Sequence, residues 1–400
     1  MSKRFISSVN IYWLFTMNIE NILLWFQSQN ITKVFEKYIQ EISAIVQPID
    51  PIGVVPIHNF KNIYDTLLPF RILYNFRPEL NFDYDRKKSS FQIPPEDYQD
   101  MPYVDTKEKY KYIMHIFSPK NNKKKLPVLL NFHTGGWVNF PPMDFLLDAD
   151  LHVKNWKTSP YIVIDIGYPL APEFKFPIGH EACYHATTEW ISKYADKYNL
   201  DTEKIILFGP SSGGHIATCV TKMWLQRGCP KVKIIGQILE NPVIAPRFDS
   251  FSFNAYRNVT SYMHEYSNGI YRIWDKLLYY PIKDQSHKNL NQLDQDFKFP
   301  QTLMLVCGED MYRGEQIEYE QHLLKNGTNV VVKFYPKRGH ATVSTKFGSS
   351  DDLNWKQAYT DFILDVIDCK TYRDQNKIKP EYRFLELIFN WPFTGVTIDI

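Results

Sequence analysis

The sequence lacks a surplus of either charge. Its 46 Lys and Arg face 44 Asp and Glu over 400 residues, a formal net charge of +2. That near-balance excludes the electrostatic footprint of a nucleic-acid binder. The short basic run Lys123-Lys124-Lys125 sits between Asn121-Asn122 and the apolar Leu126-Pro127-Val128-Leu129-Leu130. It reads as a solvated turn ahead of a buried strand. Cysteine is scarce: Cys183, Cys219, Cys229, Cys307 and Cys369 are scattered and odd in number. No paired metal-ligand spacing appears among them, so neither a zinc site nor a disulfide framework is supported, and no metal or cofactor is expected. Internal repeats and low-complexity tracts are missing as well. So is a clean membrane span, because Ser7, Ser8, Asn10, Asn18, Glu20 and Asn21 interrupt the apolar stretch of residues 5–26. No small-residue cleavage site follows it, which makes a poor signal peptide.

What is present can build a large core, since 44% of the residues are hydrophobic. On a helical wheel Ile11, Leu14, Phe15, Ile19, Ile22, Leu23 and Phe26 share one face, while Trp13, Met17 and Leu24 fall opposite. A helix apolar on both sides either packs between protein layers or dips into a membrane surface. Residues 10–47 read as two helices, the second stopped by Pro48 and Pro51. Residues 50–103 read as irregular, with "RKKSS" as an exposed turn.

From Tyr112 the pattern changes. "YIMHIF", "LPVLLNFH" and "SPYIVIDIGY" read as strands, the last buried on both faces. Helical and strand patterns then alternate through "HEACYHATTEWISKYADKYN", "KIILFG", "GHIATCVTKMWLQR", "VKIIGQILENP", "QTLMLVCGED", "GEQIEYEQHLLKNG", "VVVKFYP" and "NWKQAYTDFILDVID". Such alternation predicts an α/β fold with a mostly parallel, doubly wound sheet. It lapses between Pro242 and Lys298, where Phe251, Phe253, Tyr256, Tyr262, Tyr266, Tyr271, Trp274, Tyr279 and Tyr280 crowd together. Insertions at this place lie beyond the carboxyl ends of the strands, so the segment is expected to form a cap over an apolar pocket, the alternative being an aromatic-rich helical insertion that packs on the core.

The chemistry concentrates in "KIILFGPSSGGH". Gly209-Pro210-Ser211-Ser212-Gly213 fits G-x-S-x-G between a strand and a helix, the turn that exposes a nucleophilic serine. The spacing selects Ser211 and leaves Ser212 as the next residue, whose N–H can face a developing oxyanion. A serine hydroxyl needs a base and the base an orienting acid, in the order Ser, acid, His for this topology. Asp310 follows "TLMLVCGE" and His340 follows "VVVKFYPKRG", both in that order. Asp310 could otherwise be a helix N-cap and His340 a loop histidine. Upstream, His133-Thr134-Gly135-Gly136-Trp137 closes a strand with glycines that let N–H groups approach an oxyanion.

Together "HTGGW", "YPLAPEFKFP" (Tyr168 to Pro177), "GPSSGG", "GED" and "KRGH" resemble the HGGG, YRLAPE, GDSAGG, G-x-D and GxxH-like stretches of the hormone-sensitive-lipase-like esterases, over residues 104–370. The resemblance implies an α/β-hydrolase fold with helical cap elements and a serine carboxylesterase. Ser211 would be the nucleophile, His340 the base then acid, and Asp310 its orienting carboxylate. Gly135, Gly136 and Ser212 would supply oxyanion N–H groups, and His133 would brace the loop. Thr134, Pro169, Pro210 and Ser212 depart from the family's glycine, arginine, aspartate and alanine. The long N-terminal region is similar to eukaryotic members, with the membrane-associated fungal steryl acetyl hydrolases one branch of this architecture.

The expected organisation is an N-terminal segment 1–103, a catalytic domain 104–370 with a cap insertion about 243–298, and a tail 371–400. The expected substrate is a small or apolar acyl ester, an acetylated sterol or other lipid among them. Peripheral membrane contact through the N-terminal helix would place the protein at the endoplasmic reticulum membrane, with the cytoplasm as the alternative. An arylformamidase-type amidase would use the same machinery. A hydrolase fold turned ligand receptor is the alternative of a different class; such receptors commonly lose the catalytic histidine, whereas His340 is present.

Overall fold

The computed structural model describes residues 84–92, 111–137, 149–170, 176–245, 252, 296–340 and 350–373. They all belong to one compact unit comprising Leu80–Val138 and Pro142–Ile400. The N-terminal helices expected over 10–47, most of the cap over 243–298, and all but the first three residues of the tail lie outside the described residues. Among the described residues, no helix is long and apolar enough to cross a membrane.

The chain builds β1 (Tyr84–Gln92), β2 (Lys111–Pro119), β3 (Leu126–Phe132), α1 (Ala149–Asn155), β4 (Ile162–Gly167), α2 (Ile178–His185), a π-helical turn (Ala186–Trp190) and α3 (Ile191–Tyr198). It continues with β5 (Leu200–Pro210), α4 (Ser212–Arg227), β6 (Ile234–Glu240), β7 (Gln301–Glu309), α5 (Arg313–Lys325), β8 (Val330–Gly339) and α6 (Ser350–Ile367). The strands form one eight-stranded sheet in the order β1-β2-β4-β3-β5-β6-β7-β8. β1 pairs antiparallel with β2 and β2 antiparallel with β4; every pairing from β4 to β8 is parallel.

Parallel strands covered on both faces read as unbroken apolar runs, and β3 is buried at every position. On one face Leu129, Val163, Ile206, Phe208, Ile238, Leu303 and Leu305 pack with Trp355, Tyr359, Phe362 and Val366 of α6 and Leu151 of α1. Each such large side chain contributes about 1.5–3 kcal/mol on burial. The alternate residues of β3 and β5 face the other way, towards α4, which packs on β3, β5 and β6. Polar pairs also lie within this sheet, and in one of them Asn131 Nδ2 donates to Asp165 Oδ1 at 2.7 Å, the two being register partners on β3 and β4. A buried carboxylate of this kind is tolerated because it is hydrogen-bonded.

Two features differ from the sequence reading. "RKKSS" is no turn: Arg86 to Ser90 run along β1, opposite Phe117 to Ile113 of β2. An edge strand needs only one partner and is commonly charged, which suppresses pairing with other chains and also removes the apolar alternation that marks a strand. Lys87 is exposed there and reaches over the Tyr198 ring, 5.9 Å from its centroid. The second is α1, too short to show a helical period. It buries His152 and Asn155, which meet the Tyr161 hydroxyl at 2.9 and 3.2 Å.

Burial depresses the His152 pKa from 6.5 to about 3. The fold therefore favours the neutral ring. That stability is fully present above pH 6.5 and is lost as the pH falls from there towards the folded pKa, with a slope of at most about 1.4 kcal/mol per pH unit. Urea unfolding of the His152→Gln variant between pH 7 and 4.5 should show a shallower loss of stability than the parent. An unchanged slope would show that His152 does not contribute.

Candidate active site

The site begins where β5 stops. Pro210 is its last residue, and Ser211 then takes φ 54° and ψ −118° before α4 starts at Ser212. A non-glycine residue in such a region costs about 1–3 kcal/mol and persists only where its surroundings fix it. Here Ser211 N–H donates to the Glu240 carbonyl at 2.8 Å, and the Ser211 carbonyl accepts from Val243 N at 3.1 Å and His215 N at 3.2 Å. Two glycines make the bend sterically feasible. A Cβ on Gly209 would lie 2.2 Å from the Gly213 carbonyl, and one on Gly213 would lie 1.9 Å from the Phe132 carbonyl oxygen. The G-x-S-x-G spacing thus reflects backbone approach between β3, β5 and α4.

Parallel strands deliver the other two groups to the same end of the sheet. Asp310 follows β7 and is fully buried, and His340 follows β8. Ser211 Oγ lies 2.8 Å from His340 Nε2, and His340 Nδ1 lies 3.0 Å from both carboxylate oxygens of Asp310. An ionised carboxylate only accepts, so the Nδ1 proton points to Asp310 and leaves the Nε2 lone pair for the Ser211 hydroxyl. Asp310 is itself held by Tyr312 N–H at 2.9 Å and Gln316 Nε2 at 3.0 Å. The Tyr312 ring stands edge-on to His340 at 5.0 Å. Gln316 and Tyr312 left no sequence signal beyond their place on and before α5. Burial, then the neighbouring Asp310, pushes the Cys307 thiol far up, so this nearby cysteine stays a protonated core residue.

The loop after β3 lies beside this triad. Gly135, Gly136 and Trp137 take φ of 116°, 62° and 62°. Thr134 is not among the positive-φ residues, which is why a threonine is accommodated where the family has glycine. His133 is anchored rather than reactive. Its ring stacks on Tyr168 at 4.0 Å, its Nδ1 lies 2.7 Å from the Thr134 carbonyl, and the Tyr168 hydroxyl donates to its carbonyl at 2.7 Å. Tyr168 is the tyrosine of the "YPLAPEFKFP" stretch, whose residues 171–175 lie outside the described residues.

Ser212 opens α4, where the first helical N–H groups have no intrahelical partner. Its side chain does something the sequence reading did not anticipate: Ser212 Oγ accepts from Gly136 N–H at 2.9 Å. One of the N–H groups expected to face an oxyanion is therefore engaged by this hydroxyl.

The geometry can be set beside known proteins. A family described as the alpha/beta hydrolase fold matches residues 129–344, more than half the chain. The chain belongs to the α/β-hydrolase family. Within it, the chain is a hormone-sensitive-lipase-like, carboxylesterase-like member. An alpha/beta hydrolase of Acanthamoeba polyphaga mimivirus is 31% identical over 217 residues, 53% of this chain and 60% of that protein. The arylesterase of Saccharolobus solfataricus is 25% identical over 226 residues, 55% of this chain and 69% of that enzyme. The chain thus spans only three-fifths of the viral relative's length. Among solved structures, a bacterial heroin esterase has a TM-score of 0.59 at 19% identity, covering 84% of this chain and 98% of its own. Carboxyl esterase 2 of the fungus Tuber melanosporum has a TM-score of 0.60 at 18% identity, covering 73% and 90%. These two share the fold.

Replacing Gly213 by alanine should destabilise the fold by about 3 kcal/mol or more, because the clash is with backbone that cannot move aside. Chemical unfolding tests this, and a loss under about 1 kcal/mol would contradict the steric account.

Proposed function

We propose that the protein is a serine carboxylesterase that works through an acyl-enzyme. The observation that carries this reading is the continuous hydrogen-bonded line from Ser211 Oγ through His340 to the buried Asp310. In the first step His340 Nε2 takes the Ser211 proton as Oγ attacks the ester carbonyl carbon. The imidazolium is steadied by Asp310, and it then protonates the departing alcohol. A water deprotonated by the same nitrogen hydrolyses the acyl-serine, and the proton returns to Ser211 as the tetrahedral intermediate collapses. Charge on the carbonyl oxygen is met by Gly135 and Ser212 N–H, with Gly136 joining as its bond to Ser212 Oγ gives way.

The substrate is a small or apolar acyl ester, with an acetylated sterol or other lipid as the preferred class. What supports this is the run of aromatic residues between Pro242 and Lys298. A further supporting observation is a 29% identity over 133 residues, 33% of each chain, to the arylacetamide deacetylase of Rattus norvegicus. Contact of the N-terminal apolar segment with the endoplasmic reticulum membrane would give such esters a route to the site.

Two outcomes follow. The Ser211→Ala variant should lose about 10⁴-fold or more of p-nitrophenyl ester hydrolysis. Equal activity in parent and variant would refute the nucleophile, and turnover of anilides but not esters would favour the amidase. The Ser212→Ala variant removes the acceptor that holds Gly136 N–H. Its kcat should rise several-fold with KM little changed, a fraction of the 10²–10³ that one oxyanion donor is worth. A fall in kcat would mean that the Ser212 hydroxyl itself donates to the oxyanion.

A further inference from the structure

A second cluster of reactive side chains lies behind the nucleophile, in the packing between α2 and α4. α2 carries His180 and Cys183, one turn apart, and α4 carries His215 and Cys219, also one turn apart. The pairs are separated by more than thirty residues of sequence, and only the packed helices bring them together. His180 Nε2 lies 3.1 Å from His215 Nδ1, and that same Nδ1 lies 3.6 Å from Cys219 Sγ. The three donor atoms all lie within 4.8 Å of one another. His215 is fully buried, and His180 and Cys219 are each 5% exposed.

We propose that His180, His215 and Cys219 form a binding site for a closed-shell d¹⁰ cation that prefers thiolate, with zinc the expected ion. The spacing is the first argument. Zinc holds imidazole nitrogen at about 2.0–2.1 Å and thiolate sulfur at about 2.3 Å, in a tetrahedral arrangement. Those lengths place neighbouring ligand nitrogens about 3.3 Å apart, and a nitrogen and a sulfur about 3.6 Å apart. The observed 3.1 Å nitrogen–nitrogen edge fits such a polyhedron, and Cys219 Sγ, 3.6 Å from His215 Nδ1 and 3.8 Å from its Nε2, lies beside the ring and reaches the ion by turning about its Cα–Cβ bond.

Protonation is the second argument: a metal ligand must present a lone pair, so both imidazoles bind as neutral rings. Without a metal, one proton lies in the nitrogen–nitrogen bridge. Loading requires tautomers with hydrogen on His180 Nδ1 and His215 Nε2, which turn both facing lone pairs to the ion. Cys219 gives up its thiol proton to solvent, and its thiolate offsets one of the two charges of zinc.

Such an ion would tie α2 to the helix whose first turn carries the nucleophile. His215 also meets the edge of Trp137 at 5.2 Å, next to the glycines of the oxyanion loop. The clamp would therefore fix the relative placement of Ser211 and that loop. The inference does not rest on the esterase reading, and its test reads metal rather than turnover.

The full-length protein, purified from medium containing zinc and copper without chelators, is analysed for both metals by mass spectrometry. The same is done for Cys219→Ser and for Cys369→Ser, which alters an exposed cysteine. Expected are about one equivalent of d¹⁰ metal in the parent and in Cys369→Ser, and loss of that equivalent in Cys219→Ser. Copper in place of zinc would keep the site and name its ion. Should Cys219→Ser fail to fold by circular dichroism, His180→Gln carries the same comparison. Cobalt added to chelator-treated parent should give thiolate-to-cobalt charge-transfer absorption that is absent from the variant. Background metal in the folded parent, with no such absorption, would overturn the proposal.

Discussion

The site depends on one constraint, the close approach of backbone around a serine held at positive φ. Ser211 sits at φ 54° because β5 ends against α4 with no space for a side chain at Gly209 or Gly213. The neighbouring strands make the strain bearable. Ser211 N–H is fixed by the last residue of β6, and the Ser211 carbonyl accepts from Val243 just beyond it. Relaxing the bend would break bonds to two elements at once. The same approach sets the oxyanion loop, since the atom that Gly213 nearly touches is a carbonyl of β3, immediately before His133.

From that point the parallel sheet does the rest of the positioning. β7 runs beside β6 and β8 beside β7, all in the same direction, so the residues that follow them arrive at the same end as Ser211. The acid is deep and the base shallow: the Asp310 side chain is fully buried, while that of His340 is 24% exposed. The buried carboxylate is surrounded by donors from Tyr312, Gln316 and His340, and a partly exposed imidazole can reach substrate and water. This division of roles follows from where each strand stops.

Much of this was legible because it is local. The G-x-S-x-G spacing, the buried strand runs and the strand-terminal positions of Asp310 and His340 are short-range patterns, and the structure brings those residues together. The edge strand β1 was not legible, since charged residues such as Lys87 hide its period. The engagement of Gly136 by the Ser212 hydroxyl was not legible either, as it joins a loop to a helix start 76 residues away. Cys219 looked scattered among the cysteines for the same reason; its place beside His180 and His215 acquires meaning only when α2 lies on α4. The aromatic cap segment and the apolar N-terminal region were read from composition alone, and most of the first and all of the second lie outside the described residues.

The central claim is that Ser211, and not Ser212 or another hydroxyl, is the activated nucleophile. A fluorophosphonate reacts with a serine only where a base and oxyanion donors converge on it, so mapping the labelled peptide reads the claim without knowledge of the substrate. The account predicts one phosphonyl group per chain, carried on Ser211 and displaced by neither Ser212→Ala nor Cys307→Ser. An adduct on Ser212, or a folded protein that takes no label, would contradict it.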